Sequence, residues 1–233
     1  MRHVVVDQWS RGASLLHRRD PRAKIVPLLV LLISLGTAHR ELPQFALALL
    51  VFLCGALLVA RIPLPAALAR AALVLPFTLA FAGVSWLAGE PARGTSMIFK
   101  SYLSALAVLL VVATTPLPAL LRGIEMLGAP RFLLMVAQFL YRYLFLLWEQ
   151  ARQMRVAAVA RGGTFRAAAG ALAVLFARSY RQAEEIHSAM LARGFQGRFH
   201  ALAAARFRGA DAAFLLLGSA VPVVLRIALE RLA

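Results

Sequence analysis

A chain of 233 residues that is 61% hydrophobic and only 15% charged, with a mean hydropathy of +0.76, is not built for water. Soluble globular chains are about 45–50% apolar and about 25% charged, so disorder and a collagenous repeat are excluded; a secreted disulfide scaffold fails too, because Cys54 is the sole cysteine. The formal net charge is +16, and 24 of the 26 basic residues are arginine. In a membrane chain this excess answers to anionic headgroups and the positive-inside rule, not to nucleic acid.

The first 24 residues are basic and carry no apolar run long enough for a signal peptide. Asp20-Pro21 supplies an N-cap followed by proline at the first helical position, which predicts a span over 21–38. Eighteen residues rise about 27 Å, close to the hydrocarbon thickness, with Arg22 and Lys24 expected to snorkel to the headgroups. Further spans are predicted over 43–60, over 71–88 with a kink at Pro76, and over 97–115; a last one covers 212–229. The connections between them, including Arg61 to Arg70, read as short polar loops. Basic residues number six in the N-terminal segment to Lys24 and one or two in each following loop, which places the N-terminus in the cytoplasm of an inner-membrane, multi-pass protein. Five crossings then put the C-terminus outside. The expected organisation is therefore all-α and polytopic: residues 1–115 hold four spans, 116–210 form a cytoplasmic or interfacial helical region, and 211–233 form the last span.

The middle region carries 13 arginines and four acids from Arg122 to Arg208. It predicts two long helices, over 131–161 and 166–193, each with an apolar first half and an arginine-rich second half. Such helices suit the cytoplasmic face of the membrane. Residues 132–148 are apolar enough to enter the bilayer, which would break the parity of the crossings.

The two helices end alike. Residues 149–162, EQARQMRVAAVARG, and 181–194, RQAEEIHSAMLARG, share six of 14 positions, including Gln150/Gln182 and all of Ala160-Arg161-Gly162 against Ala192-Arg193-Gly194. Two accounts fit. Glycine just past a helix is a common C-terminal cap, and arginine in the last turn complements the helix dipole. Alternatively, small alanines permit close approach, glycine stops the helix, and arginine projects as a planar fork suited to an acidic groove.

With HRRDPRAK (17–24), TTPLPALLRGIEMLGAP (114–130), YRYLFLLWEQARQMRVAAVARGG (141–163) and ARSYRQAEEIHSAMLARGFQG (177–197) in this order, the chain resembles the transmembrane (T) component of energy-coupling factor (ECF) transporters. These are ABC-type importers of vitamins and transition-metal ions, and the wording is most similar to the cobalt-type branch, CbiQ. The resemblance implies that Ala160, Arg161, Gly162, Ala192, Arg193 and Gly194 dock on two cytoplasmic ATP-binding cassette ATPase subunits, one tip per subunit. It further implies a separate substrate-binding membrane subunit of cobalt or nickel type, with a small accessory membrane subunit as a possible addition. ATP would bind to the partners, and this chain would carry no cofactor.

The chemistry absent from the sequence agrees with that division of labour. There is no G-x-x-x-x-G-K-[ST] phosphate loop. The five histidines, His3, His17, His39, His187 and His200, never fall at a ligand spacing, and the predicted spans hold no Asp or Glu. Glu184 and Glu185 diverge by about 100° on a helix and form no acid–base pair, Glu185 being expected to bridge Arg181. Arg142 is open between packing inside the coupling helices and snorkelling. The competing classes are a T component shared by vitamin importers, a lipid-modifying enzyme, for which no nucleophile or acid cluster is found, and a non-catalytic membrane scaffold.

Overall fold

The computed structural model describes residues 9, 12, 14–38, 42–160, 162, 165–195, 207 and 209–232. Among them every regular element is helical: α1 (Pro21–Gly36), α2 (Leu42–Val59), α3 (Leu64–Ala71), a 3-10 turn (Ala72–Val74), α4 (Leu75–Leu87), α5 (Pro91–Thr114), α6 (Leu117–Met126), α7 (Arg131–Ala160), α8 (Phe165–Ala192) and α9 (Gly209–Leu232). Four stretches are long and apolar enough to cross a membrane by length and composition: Leu64–Leu87, α5, α7 and Gly209–Ala228, with Pro43–Val59 a shorter apolar helix. The chain is a polytopic, all-helical membrane protein. α7 thus reaches span length, whereas α1 has 16 helical residues, about 24 Å.

The connection expected over 61–70 is instead helical from Leu64, because Pro65 sits at a first-turn position where its missing N–H costs nothing. The break expected at Pro76 falls just before it, in the 3-10 turn. A proline ring clashes with the carbonyl four residues back, which here belongs to Ala72, the first residue of that turn. Arg61, the one non-glycine residue with positive φ (58°) among those described, closes α2.

Two compact units divide the chain, one formed by 1–128 with 205–233 and the other by 129–204. In the first unit α1 is central, packing on α5, α6 and α9, while α2 and α3 also rest on α5. The core is aliphatic: Leu31, Leu35, Leu49, Leu53, Leu57, Leu103 and Leu106 are buried. Two glycines allow close approach. A Cβ on Gly123 of α6 would stand 2.9 Å from Pro21 Cβ and Ile25 Cδ1, and one on Gly218 of α9 would stand 3.1 Å from Pro27 Cβ.

Both ends of α1 are tied by polar groups. At its start, Asp20 accepts from the Arg22 N–H at 2.9 Å, the N-cap the sequence predicts. Lys24 is only 4% exposed. Its ammonium donates to the Thr114 carbonyl at 2.9 Å and to Thr115 Oγ1 at 2.7 Å. The expectation that Lys24 snorkels to headgroups is therefore corrected: a carbonyl left open at the end of α5 is a nearer acceptor than the bilayer surface. Arg22 likewise turns to α6, its guanidinium contacting Met126 Sδ. Asp211, buried in the first turn of α9, accepts from the Asp20 N–H at 3.4 Å and lies 3.7 Å from Arg19. At the far end, Lys100 donates to the Gly36 carbonyl at 3.0 Å and Arg226 to the Thr37 carbonyl at 3.2 Å. Two cations thus cap the negative end of the α1 dipole.

Removing one partner from a buried ionic network leaves uncompensated charge and costs about 3–5 kcal/mol. Lys24→Met is accordingly expected to lower the thermal midpoint of the detergent-solubilised chain markedly in fluorescence-detected size-exclusion chromatography. An unchanged midpoint would show that the network does not hold the helices together.

Candidate functional site

The second unit consists of α7 and α8, which pack on each other. Their contact is a thin stripe. Leu134 is the sole buried residue among the described side chains of α7, and the described side chains of α8 include none. Half-buried Phe139, Tyr143 and Leu147, spaced one turn apart on α7, face Ser179, Gln182, Ile186 and Met190 of α8 across a cavity of about 300 Å³. The spacings of three and four residues are those that align side chains on one helix face. Aromatic rings reinforce α7 along its length: Phe139 stacks on Tyr143 at 6.0 Å, and Tyr141 meets Phe145 edge-on at 5.2 Å.

The shared glutamines of the repeat belong to this inner region. Gln182 lines the cavity, and Gln150 is half-buried with its Oε1 enclosed and without a hydrogen-bond partner among the described residues. Outside the stripe the apolar surface is open, with Phe132, Leu140, Leu144 and Trp148 of α7 and Leu172, Phe176 and Tyr180 of α8 exposed. Arg142 is exposed, 5.9 Å from the ring of its neighbour Tyr143, so it does not pack between α7 and α8. Arg181 and Glu185 are exposed and no ion pair joins them among the described residues, contrary to their spacing. His187 lies at the cavity edge, its residue surface exposed. No group of three or more His, Cys, Asp or Glu among the described residues is placed to hold a metal ion.

The helix ends follow the glycine-cap pattern. Gly194 has φ 75° and donates to the Leu191 carbonyl at 2.9 Å, while Phe195 donates to the Met190 carbonyl at 3.0 Å. Together these two bonds form the paired six-to-one and five-to-two closure of a Schellman motif. Gly162 has φ 91° and donates to the Val159 carbonyl at 3.1 Å. Ala160, Gly162, Ala192, Arg193 and Gly194 are all exposed, and Arg161 lies outside the described residues. Two other helices end on positive-φ glycines, α4 at Gly89 (82°) and α6 at Gly128 (102°). The residues before those glycines are Ala88 and Leu127. Cap geometry therefore accounts for the glycines of the repeat, while its arginines answer to the helix dipole or to a partner.

Sequence reasoning passed over a second constellation, in which the resemblance motifs meet. Lys24 of HRRDPRAK bonds Thr114 and Thr115 of the TTP segment, and Gly123 of the same segment lies against Pro21. Asp211 joins them from the start of α9. Asp20 was legible as an N-cap, but nothing local marks its companions.

A left-handed residue other than glycine costs about 1–2 kcal/mol. Gly194→Ala is expected to speed hydrogen exchange at the Gly194 and Phe195 amides by roughly fivefold or more, read by mass spectrometry on the purified chain, with the centre of α8 unaffected. Unchanged exchange at both amides would mean that the glycine conformation is not what closes the helix.

Residues 12–201 match the family model of CbiQ, described as cobalt transport protein. The chain is 28% identical to the energy-coupling factor transporter transmembrane protein EcfT of Bacillus selenitireducens over 83% of this chain and 84% of that protein. It is 26% identical to the cobalt transport protein CbiQ of Rhodobacter capsulatus over 73% of this chain and 76% of the relative. An uncharacterized protein of Methanocaldococcus jannaschii is 24% identical over 96% and 86% of the two lengths. With most of its length matched by that model, and with the motif order and all-helical membrane fold described above, the chain belongs to the CbiQ family and is a transmembrane component of the energy-coupling factor type.

Proposed function

We propose that this chain is the energy-coupling subunit of an ECF-type importer, passing the closure of two partner ATPases to a separate substrate-binding membrane subunit. The observation that carries this reading is the paired Ala-Arg-Gly ends. Arginine precedes the capping glycine at the ends of α7 and α8 and at neither of the other two glycine-terminated helices. A cap alone does not call for that difference, whereas docking in acidic grooves does. Ala160, Arg161 and Gly162 would enter one ATPase, and Ala192, Arg193 and Gly194 the other.

The long open apolar faces of α7 and α8 suit the second half of the task. Helices of 30 and 28 residues held by a narrow stripe are able to tilt against each other more readily than helices embedded in a core. Their exposed apolar side chains need either lipid or another membrane subunit as cover. ATP hydrolysis is assigned to the partners, and the chain itself is read as non-catalytic, without a cofactor.

Cobalt, or the cobalt–nickel class, is the proposed cargo of the complex, supported by the family model and the Rhodobacter relative. A T component serving vitamin binders is the alternative, since the EcfT relative is matched over 83% of this chain and the CbiQ relative over 73%. On either reading this chain sits in the cytoplasmic membrane with its N-terminus inside, beside a metal- or vitamin-binding subunit and, in the metal case, a small accessory subunit.

Losing a buried, charge-paired arginine at an interface costs about 2–5 kcal/mol. Arg161→Glu or Arg193→Glu alone is expected to reduce ATPase recovery in a mild-detergent pull-down of the tagged chain. The double variant should recover none and abolish uptake while inserting normally. Wild-type uptake by the double variant would end the docking proposal. A vitamin-binding protein in the wild-type pull-down would keep the mechanism and overturn the metal cargo.

A further inference from the structure

The first unit contains a cleft of about 610 Å³ between α1, α2, α5 and α9 whose lining is apolar except at one end. That end is formed by Arg19, Lys24 and Thr114, beside the buried ionic network. From there the lining runs down α1 to Leu31, back along α5 to Ala107 and along α9 from Phe214 to Val221. Each stretch covers seven helical steps, about 10 Å at about 1.5 Å per residue. The cleft therefore reaches from the level of the α1 N-terminus through most of one leaflet, whose hydrocarbon half is about 15 Å thick.

Its shape and charge select the occupant. An extended acyl chain suits a cleft that is about 10 Å deep, apolar along its length and polar at one end. The rim is apolar and open, with Val51, Val59 and Leu217 exposed, so entry is from the side, where lipid lies. Lys24 is committed to Thr114 and Thr115, but Arg19 engages Asp211 through one nitrogen at 3.7 Å, and its side chain keeps 29% exposure. A guanidinium carries five donors, and the next residue back, Arg18, is exposed as well. Beside the carboxylates of Asp20 and Asp211, Arg19 thus keeps guanidinium donors free at the depth of a phosphate, with the charge of Arg18 next to it.

We propose that this cleft holds one acyl chain of an anionic phospholipid from the leaflet that meets the α1 N-terminus, with Arg19 bonding the headgroup phosphate. The bound lipid would fill the space that Gly55 leaves open and complete the packing between α2 and α9. The site lies within the first unit and is independent of the docking role of the Ala-Arg-Gly ends.

The test uses the full chain in phosphatidylcholine vesicles containing a minor fraction of phosphatidylglycerol with a diazirine part-way along one acyl chain. Irradiation followed by peptide mapping is expected to concentrate label on the α2 and α9 segments that line the cleft, above the level on the exposed outer residues of α4, Phe77 and Phe81. No atom lies within 4 Å of a Cβ built on Gly55, so Gly55→Leu extends into the cleft. It should cut cleft labelling about tenfold while leaving α4 labelling unchanged, as expected for losing most of an apolar chain's buried area. Arg19→Gln should lower the preference for the phosphatidylglycerol probe over its phosphatidylcholine counterpart about fivefold, the effect of one cation on anionic lipid. Even labelling of cleft and α4 in the wild type would show surrounding bulk lipid alone and overturn the site. Equal labelling by the two probes in the wild type would remove the charge selection, and full cleft labelling in Gly55→Leu would remove the cleft. If Gly55→Leu does not fold, the wild-type map and Arg19→Gln decide by themselves.

Discussion

The structure hangs on a buried ammonium. Lys24 stands one turn into α1, out of reach of solvent, and holds the last carbonyl of α5 and the hydroxyl beside it. Asp20 and Asp211 face Arg19 and Lys24, so two carboxylates and two cations share one region where α1 and α9 begin and α5 ends. Desolvating such groups is expensive, and the cost is met only if hydrogen bonds and opposite charges are supplied together. That requirement sets three helix ends at one level. The carbonyls of Gly36 and Thr37, held by Lys100 and Arg226, mark a second level at the other end of α1. Between the two levels the helices meet through leucine and alanine. A 16-residue helix, short for a bilayer when taken alone, therefore serves as the central strut because both its ends are bonded to longer neighbours.

The second unit is organised by the opposite principle. α7 and α8 are long, carry many exposed large apolar residues, and share only a stripe with a cavity in it. Isolated helices draw little stability from propensity alone and depend on what their apolar face packs against. The arginines crowd toward the helix ends and the apolar residues toward the starts, so each helix has a half suited to an apolar surrounding and a half suited to water. Rigid helices capped by glycine fix where an end points, while a thin mutual contact leaves their relative tilt cheap to change. The proposed coupling role would draw on both properties.

What was legible in the sequence was local. Asp20-Pro21 marks the start of α1 because a cap and its acceptor lie two residues apart. The extents of α7 and α8 follow from an apolar first half, an arginine-rich second half and glycines whose φ only glycine adopts freely. Pro76 announced a break, although the distortion falls on the carbonyl four residues earlier and not on the proline itself. What was illegible depends on chain separations of about 90 residues or more. The destination of Lys24 is decided by Thr114 and Thr115, and the role of Asp211 by a helix start 191 residues away. A lysine near the start of an apolar helix reads as an interfacial anchor unless an open carbonyl is known to stand beside it. The helix at Leu64 was missed for a related reason: two prolines and two arginines look like a loop until Pro65 is placed in a first turn.

The four glycine-terminated helices serve as an internal control on how far structure alone carries the functional argument. Gly89, Gly128, Gly162 and Gly194 share the positive φ and the bond back to the third residue before them. The glycines are accounted for in every case by chain reversal at a helix end, and by themselves say nothing of a partner. Arginine is found before the glycine at two of the four, both in the unit with the least internal packing. Arg193 is exposed there and is not consumed in stabilising the end, since the cap is closed by main-chain bonds of Gly194 and Phe195. Arg193 is thus a charged side chain that the cap does not need, and the sequence repeats it at the matching end of α7. The helix dipole favours a cation at any of the four ends, so the dipole does not by itself account for its presence at these two and its absence at the others.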